Sequence, residues 1–180
     1  MNPQNGAYEA FASRAREYCD FIERADQYDP WGFVTRLQTV LPRLYAAAIE
    51  LPYPDPWPDQ KEKLDLGPGP SECAAILNRL AEVLPIAEYW TTLEPLKLTD
   101  EEVDVGCAIL ADDLADIYHD VIPGIRMIDR DFPRERSQFQ WKHQFMSHWG
   151  EKLVEALRIL HLVSFDLCEW RDRGATEDES

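Results

Sequence analysis

The sequence predicts an all-α fold, a bundle of five to six helices with a long proline-rich loop after the second helix. Apolar residues recur at helical spacing along most of the chain, whereas no convincing alternating strand pattern appears. Hydrophobic residues make up 45% of the 180 residues, which is enough for one domain with a sizeable core. We therefore expect a single helical domain over residues 1–174, followed by an acidic disordered tail, 175–180.

Two helices are predicted in the first quarter of the chain. The first covers about residues 8–25, where apolar and aromatic residues share one face. Asp29 and Pro30 then form a helix start signal, an N-cap residue followed by proline at the first helical position. The second helix reaches about Leu51, and Pro42 predicts a kink or a local break inside it.

A proline-rich segment, LPYPDPWPDQKEKLDLGPGP, follows over residues 51–70. Proline disrupts helices and strand ladders alike, so we expect an irregular surface loop here. Ser71 is a natural N-cap for a third helix that ends near Leu84, before Pro85. The stretch IAEYWTTLEP beyond it is compatible with a short helix or an extended segment.

Two more helices are predicted in the second half. The TDEE stretch at residues 99–102 matches a capping box, which opens a fourth helix that reaches at least Val121. Pro123 and Gly124 should kink or stop that helix. The last helix is predicted as one long segment over residues 134–173, with Phe139 and Met146 on its core face and Gly174 as its stop.

The charge balance restricts the classes of partner. There are 34 acidic and 18 basic residues, a net charge of -16. Nucleic acid binding depends on lysine and arginine at phosphates, so a nucleic acid or an anionic membrane surface is an unfavourable partner. A cation, a metal ion or a basic patch on another protein is more suitable.

Cysteine usage and the first residues favour a soluble cytoplasmic protein. The four cysteines, Cys19, Cys73, Cys107 and Cys168, form no CxxC pair, and three of them lie beside apolar residues in helical patterns, as reduced, buried thiols usually do. The opening residues, MNPQNGAYEAF, lack the basic and apolar regions of a secretory signal. The chain also lacks the run of about 20 apolar residues that a membrane span needs.

An aspartate cluster on the predicted fourth helix is the main candidate site. The stretch LADDLADIYHD, residues 110–120, holds Asp112, Asp113, Asp116 and Asp120 and no lysine or arginine. At about 100° per residue, the four carboxylates fall on one side of the helix, opposite its core face. Like charges four residues apart destabilise a helix by a few tenths of a kcal/mol per pair.

Two interpretations of this cluster stay open. It is a solvated acidic face, or it is partly covered by another helix, because Val105 and Ile109 fall on the same side. Carboxylates in a cleft need a cation from arginine, lysine or a metal. DDLAD also matches the bare DDxxD pattern of isoprenoid synthases, but a second aspartate-rich helix is missing and the pattern is too short to be specific.

The predicted last helix supplies possible counterparts to the aspartates. His148 shares a polar side with Glu151 and Glu155, which suits either a metal set completed by imidazole or a ladder of surface ion pairs. Arg158 is the cation best placed to meet the aspartates. His143 and His161 fall near the apolar face and are interpreted as core residues.

Two long motifs, LADDLADIYHDV and HWGEKLVEALRILH, resemble DUF5063, a bacterial family of uncharacterised proteins. LPRLYAAAIELP and EYWTTLEP are also similar to its pattern, so the resemblance covers about residues 8–170. In that pattern the position of Lys152 is often a histidine, and the lysine here weakens any metal site built on this helix. The resemblance implies an all-helical fold and no established activity.

The leading functional hypothesis is a non-enzymatic interaction or structural module without a cofactor. Its docking surface would be the acidic face, with Trp141, Trp149 and Tyr118 nearby in sequence. The alternative is a hydrolase of phosphorylated small molecules that holds Mg²⁺ or Mn²⁺ with the clustered aspartates, His148 and Glu151. Neither a GxSxG motif nor a phosphate-binding glycine loop supports another chemistry. The oligomeric state stays open.

We also predict that the aspartate cluster is a structural lock between the fourth and last helices. An unpaired, partly buried carboxylate costs several kcal/mol, and the fourth helix itself offers no cation beside the cluster. At least one aspartate is therefore expected to pair with Arg158 or His148.

Overall fold

The computed structural model describes residues 3–58, 65–92 and 104–177, with side chains described over 6–58, 65–92 and 104–165. Within these ranges the chain forms six α-helices and one two-stranded antiparallel sheet: α1 Pro3–Glu23, α2 Pro30–Glu50, α3 Pro70–Val83, β1 Glu88–Thr92, β2 Val105–Ile109, α4 Leu110–Asp129, α5 Arg134–Gln144 and α6 Gly150–Glu177. The predicted helical bundle is confirmed, and the small sheet is an addition to it.

Helix α4 lies at the centre of the bundle. It packs against α1, α3, α5 and α6, while α2 packs against α1 and α6. Both sides of α4 are therefore covered, including the side that carries the aspartates. The largest fully buried side chains of the core are Trp141, Trp149, Tyr18, Tyr118, Phe11 and Phe33. None of the helices in the described ranges combines the length and the apolar character that a membrane span needs.

The start of α2 is as predicted, but its interior is not broken. The Asp29 carboxylate accepts a hydrogen bond from the Gly32 backbone N–H at 3.0 Å, and Pro30 occupies the first helical position. Pro42 lies inside a helix that continues to Glu50. Helix α3 begins one residue after Gly69, its N-cap, with Pro70 at the first position, so Ser71 is not the cap.

The proline-rich segment is only partly described. Residues 51–58 and 65–69 form neither helix nor strand. Residues 59–64 lie outside the described residues, as do Thr99 and Glu102 of the predicted capping box. Helix α4 begins at Leu110, because the residues before it belong to strand β2.

Strands β1 and β2 form a ribbon in which Glu88 pairs with Ile109 and Trp90 with Cys107. The expectation of no strand was wrong here. A five-residue apolar run such as VGCAI is ambiguous by periodicity alone, and a distant partner strand decides its conformation.

Helix α4 continues through Pro123 and Gly124 to Asp129, so this pair does not stop it. Trp141 of α5 approaches α4 closely here, and its indole N–H donates to the Val121 carbonyl at 2.8 Å. A Cβ at position 124 would lie 2.2 Å from the Trp141 ring. Glycine is therefore required there by packing between α4 and α5.

A π-helical turn, Phe145–Trp149, joins α5 to α6, so the predicted long last helix is interrupted. The Gly150 N–H bonds to the Phe145 carbonyl, and a Cβ at Gly150 would lie 2.5 Å from that oxygen. The wider turn buries Phe145 and Trp149 and leaves Met146 exposed, contrary to the prediction for Met146.

The last helix also continues beyond its predicted end. Helix α6 passes Gly174 and reaches Glu177. The first three residues of the expected disordered tail, 175–177, are therefore helical, and residues 178–180 lie outside the described residues.

Candidate functional site

The four aspartates of the cluster on α4 lie in two environments. Asp113 and Asp120 are only 6% and 5% exposed, on the side that meets the chain around α6. Asp112 and Asp116 are half-buried and border a cleft towards α3. The aspartate side is thus covered by other helices, as one interpretation expected. The two residues that motivated it, Val105 and Ile109, lie in the preceding strand β2 and not on α4.

Lys152 of α6 lies between two of these carboxylates. Its ammonium nitrogen is 3.2 Å from Oδ1 of Asp113 and 2.8 Å from Oδ2 of Asp116. Burial lowers the pKa of Lys152, but the two carboxylates outweigh that effect and raise it. Lys152 therefore stays charged and neutralises part of the cluster.

The Tyr89 hydroxyl of β1 donates a hydrogen bond to Oδ2 of Asp113 at 2.5 Å. Burial raises the pKa of Asp113, while the Tyr89 hydroxyl and the Lys152 ammonium act in the opposite direction. Burial and the adjacent carboxylate also raise the pKa of Tyr89, so the phenol remains a donor. Asp113 thus connects the ribbon, α4 and α6.

His148, in the π turn, holds the other buried aspartate. Its Nδ1 lies 2.6 Å from Oδ2 of Asp120, whose other oxygen is 3.5 Å from Nδ1 of His119. A carboxylate acceptor at 2.6 Å requires the proton on Nδ1 of His148. The predicted contact between an aspartate and His148 is therefore present.

Lys152 was missed by the sequence reasoning, although a signal for it exists. His148 and Lys152 are four residues apart, and so are Asp120 and Asp116. Residues at this spacing share one side of a helix. The residue numbers of the two pairs run in opposite directions, so His148 meets Asp120 and Lys152 meets Asp116.

Arg158 does not reach the aspartates. It lies nearly two turns beyond Lys152, where it pairs with Glu155 at 2.9 Å and donates to the Trp90 carbonyl at 3.3 Å. The predicted contact between Arg158 and the cluster is wrong, because a helix rises about 1.5 Å per residue and carries Arg158 alongside β1 instead. Glu151 is exposed on the same helix.

Trp141, Trp149 and Tyr118 belong to the core and do not form the expected docking surface. All three are at most 2% exposed. The Tyr118 hydroxyl lies 2.8 Å from Oε1 of Glu23 and 2.9 Å from Oε1 of Glu72. Nearness to the aspartates in sequence misled the prediction, because these side chains leave their helices in other directions.

A cleft of about 210 Å³ lies between α3 and α4. Its floor is apolar, and its polar rim consists of Asp112, Asp116 and His119. Among the residues that the structure describes, Asp112 has neither an ion-pair nor a hydrogen-bond partner. The full lining is Pro68, Cys73, Ala74, Ile76, Leu77, Asp112, Ala115, Asp116, Tyr118 and His119.

The arrangement of the cluster does not suit a metal ion. Across the described part of the chain, His, Cys, Asp and Glu nowhere form a group of three or more with the geometry of metal ligands. Lys152 fills the space between Asp113 and Asp116, and His148 directs its protonated Nδ1 at Asp120. A cation at these carboxylates would have to displace side chains that already bind there.

Comparisons with known proteins place these features in context. A family model described as "Domain of unknown function (DUF5063)" matches residues 4–166. The crystal structure of protein BF1032 from Bacteroides fragilis is similar, with a TM-score of 0.71 and 28% sequence identity. The similarity covers 86% of this chain and 89% of that one. A search of curated proteins gives no match.

Proposed function

The chain belongs to the DUF5063 family, and we propose that it is a non-enzymatic binding module that holds a basic side chain of another protein in the cleft between α3 and α4. The family carries no assigned activity, so the proposal depends on the cleft. Its main support is one observation: Asp112 borders an apolar cleft without a partner among the described residues.

The chemistry of the rim and floor suits lysine or arginine. These side chains have an apolar stem and a charged end, so they bury the stem against apolar surface and keep the charge at a polar rim. Asp112 offers a half-buried carboxylate, and Asp116 binds Lys152 through one oxygen, Oδ2. A cation in the cleft would therefore meet negative charge that the protein has not neutralised.

Size and net charge favour a side chain over a free metabolite. Pockets for small-molecule ligands usually enclose about 300–1,000 Å³, whereas this cleft has about 210 Å³. A net charge of -16 also accelerates the approach of a basic protein surface. The alternative, a hydrolase dependent on Mg²⁺ or Mn²⁺, needs several open carboxylates, and Asp113, Asp116 and Asp120 are already bound to other side chains.

The test is an NMR titration of the full chain with N-acetyl-lysine methylamide. The neutral control is N-acetyl-norleucine methylamide, which keeps most of the stem and lacks the ammonium. We expect the lysine probe, and not the norleucine probe, to shift amide signals of residues that line the cleft. Added salt should weaken the binding, since it screens exposed charges.

A matched pair of variants identifies the carboxylate. Asp112→Asn should weaken binding of the lysine probe by about fivefold, equivalent to about 1 kcal/mol. Asp131→Asn, at an exposed aspartate beyond the far end of α4, should leave it unchanged. Equal binding of both probes, or full binding by Asp112→Asn, would contradict the proposal. Stabilisation by millimolar Mg²⁺ or Mn²⁺ that Asp112→Asn removes would favour the hydrolase instead.

A further inference from the structure

The outer face of the β1–β2 ribbon is apolar and uncovered in the described structure. Side chains alternate between the two faces of a strand, and the register places one set of six on the outer side. Trp90, Val105 and Ile109 of this set are 71%, 58% and 39% exposed. The full set is Glu88, Trp90, Thr92, Val105, Cys107 and Ile109, all of them exposed.

This face differs in charge from the rest of the protein. Glu88 is its single carboxylate, and the set contains no lysine or arginine, whereas the whole chain has 34 acidic residues. A basic partner would find little to pair with on this face. An uncharged apolar surface is its natural complement, and a second copy of the chain presents one.

We infer that two copies of the chain associate through these ribbon faces, packed against each other about a two-fold axis. A two-fold interface uses the same patch on both copies. Trp90 and Cys107 form the central pair of the ribbon. An axis near that pair places the Trp90 indole of each copy over the ribbon of the other.

Association also stabilises the ribbon itself. A sheet of two strands is marginal in water, and a second sheet packed about 10 Å away covers its open face. Tryptophan is the residue type that most often dominates the binding energy of an interface. The dimer uses none of the residues that line the cleft between α3 and α4, so the two proposals can fail separately.

Sedimentation equilibrium of the full chain tests this inference. The expected mass is twice the 20.9 kDa of one chain. Added salt should strengthen the association, because it screens the repulsion between two acidic copies. Trp90→Ser should raise the dissociation constant by about tenfold or more. Trp57→Ser, at another tryptophan that is 65% exposed, should leave it unchanged.

A short bismaleimide tests the geometry of the dimer. Each maleimide adds to one thiol, so it should join two copies through Cys107 and fail in Cys107→Ser. If Trp90→Ser does not fold, as judged by circular dichroism, Val105→Ser replaces it in sedimentation with the same expected effect. A chain that stays monomeric at all salt concentrations, or a dimer that Trp90→Ser leaves intact, would overturn the inference. So would a dimer that cannot be joined at Cys107.

Discussion

Replacing Lys152 with methionine tests whether the aspartate cluster stabilises the fold. Methionine keeps much of the apolar stem and removes the charge that lies between Asp113 and Asp116. Breaking a buried ion pair by removing one partner costs about 3–5 kcal/mol, whereas an exposed pair is worth under about 1 kcal/mol. Asp113 is buried, but about a quarter of the Lys152 side chain is exposed. We therefore expect a loss of about 2–3 kcal/mol at about pH 7.

The loss should depend on pH in a defined direction. Burial raises the pKa of Asp113, and Lys152 is one of the groups that lower it. In Lys152→Met the pKa of Asp113 in the folded state therefore rises further above the unfolded value of about 3.9. A raised folded pKa gives stability that is complete below the unfolded pKa and disappears as pH rises through the folded pKa. The variant should accordingly recover part of its stability between about pH 7 and about pH 4.

Urea titrations of the variant and the natural protein across this pH range measure both effects. Arg158→Met is the matched control, because Arg158 lies on the same helix with exposed partners and should cost under about 1 kcal/mol. If Lys152→Met costs no more than Arg158→Met, or if its cost is the same at every pH, Asp113 is not a buried charge that depends on Lys152.

Two further substitutions test the packing around α4. Gly124→Ala should lower the melting temperature by about 4–8 °C, because the added methyl group overpacks against Trp141 at a cost of about 2 kcal/mol. Gly6→Ala, with open space around it, should leave the melting temperature unchanged. Equal melting temperatures of the two variants would contradict this explanation. Tyr89→Phe removes a hydrogen bond to the Asp113 carboxylate and should cost about 1.5–3 kcal/mol in a urea titration; an unchanged midpoint would show that Asp113 does not need this donor.

Local signals predicted much of the fold. The start of α2 at Asp29 and Pro30, and the core faces of the bundle, depend on residues close together in sequence. The ribbon could not be predicted in this way, because VGCAI becomes a strand only by pairing with residues 88–92. Pro123 and Gly124 misled because they are typical helix breakers by local rules, whereas Gly124 is needed here for the close packing of Trp141 from α5.

The sequence predicted which residues form the candidate site better than it predicted which of them contact one another. The aspartates were identified from their charge and helical spacing, and His148 was named beside Arg158 as one of two expected partners. Lys152 was missed in favour of Arg158, because charge alone does not show which residue of α6 lies level with Asp113 and Asp116. The cleft beside Asp112 depends on how α3 packs on α4, which neither helix specifies alone.

The π turn between α5 and α6 makes the number of residues there as important as their identity. It contains one residue more than a regular turn of the same helix would need. Deleting that residue would rotate everything that follows by about 100°. Lys152 would then turn away from Asp113 and Asp116. Insertions and deletions among relatives should therefore fall in the connecting loops, while Phe145–Trp149 keeps a constant length.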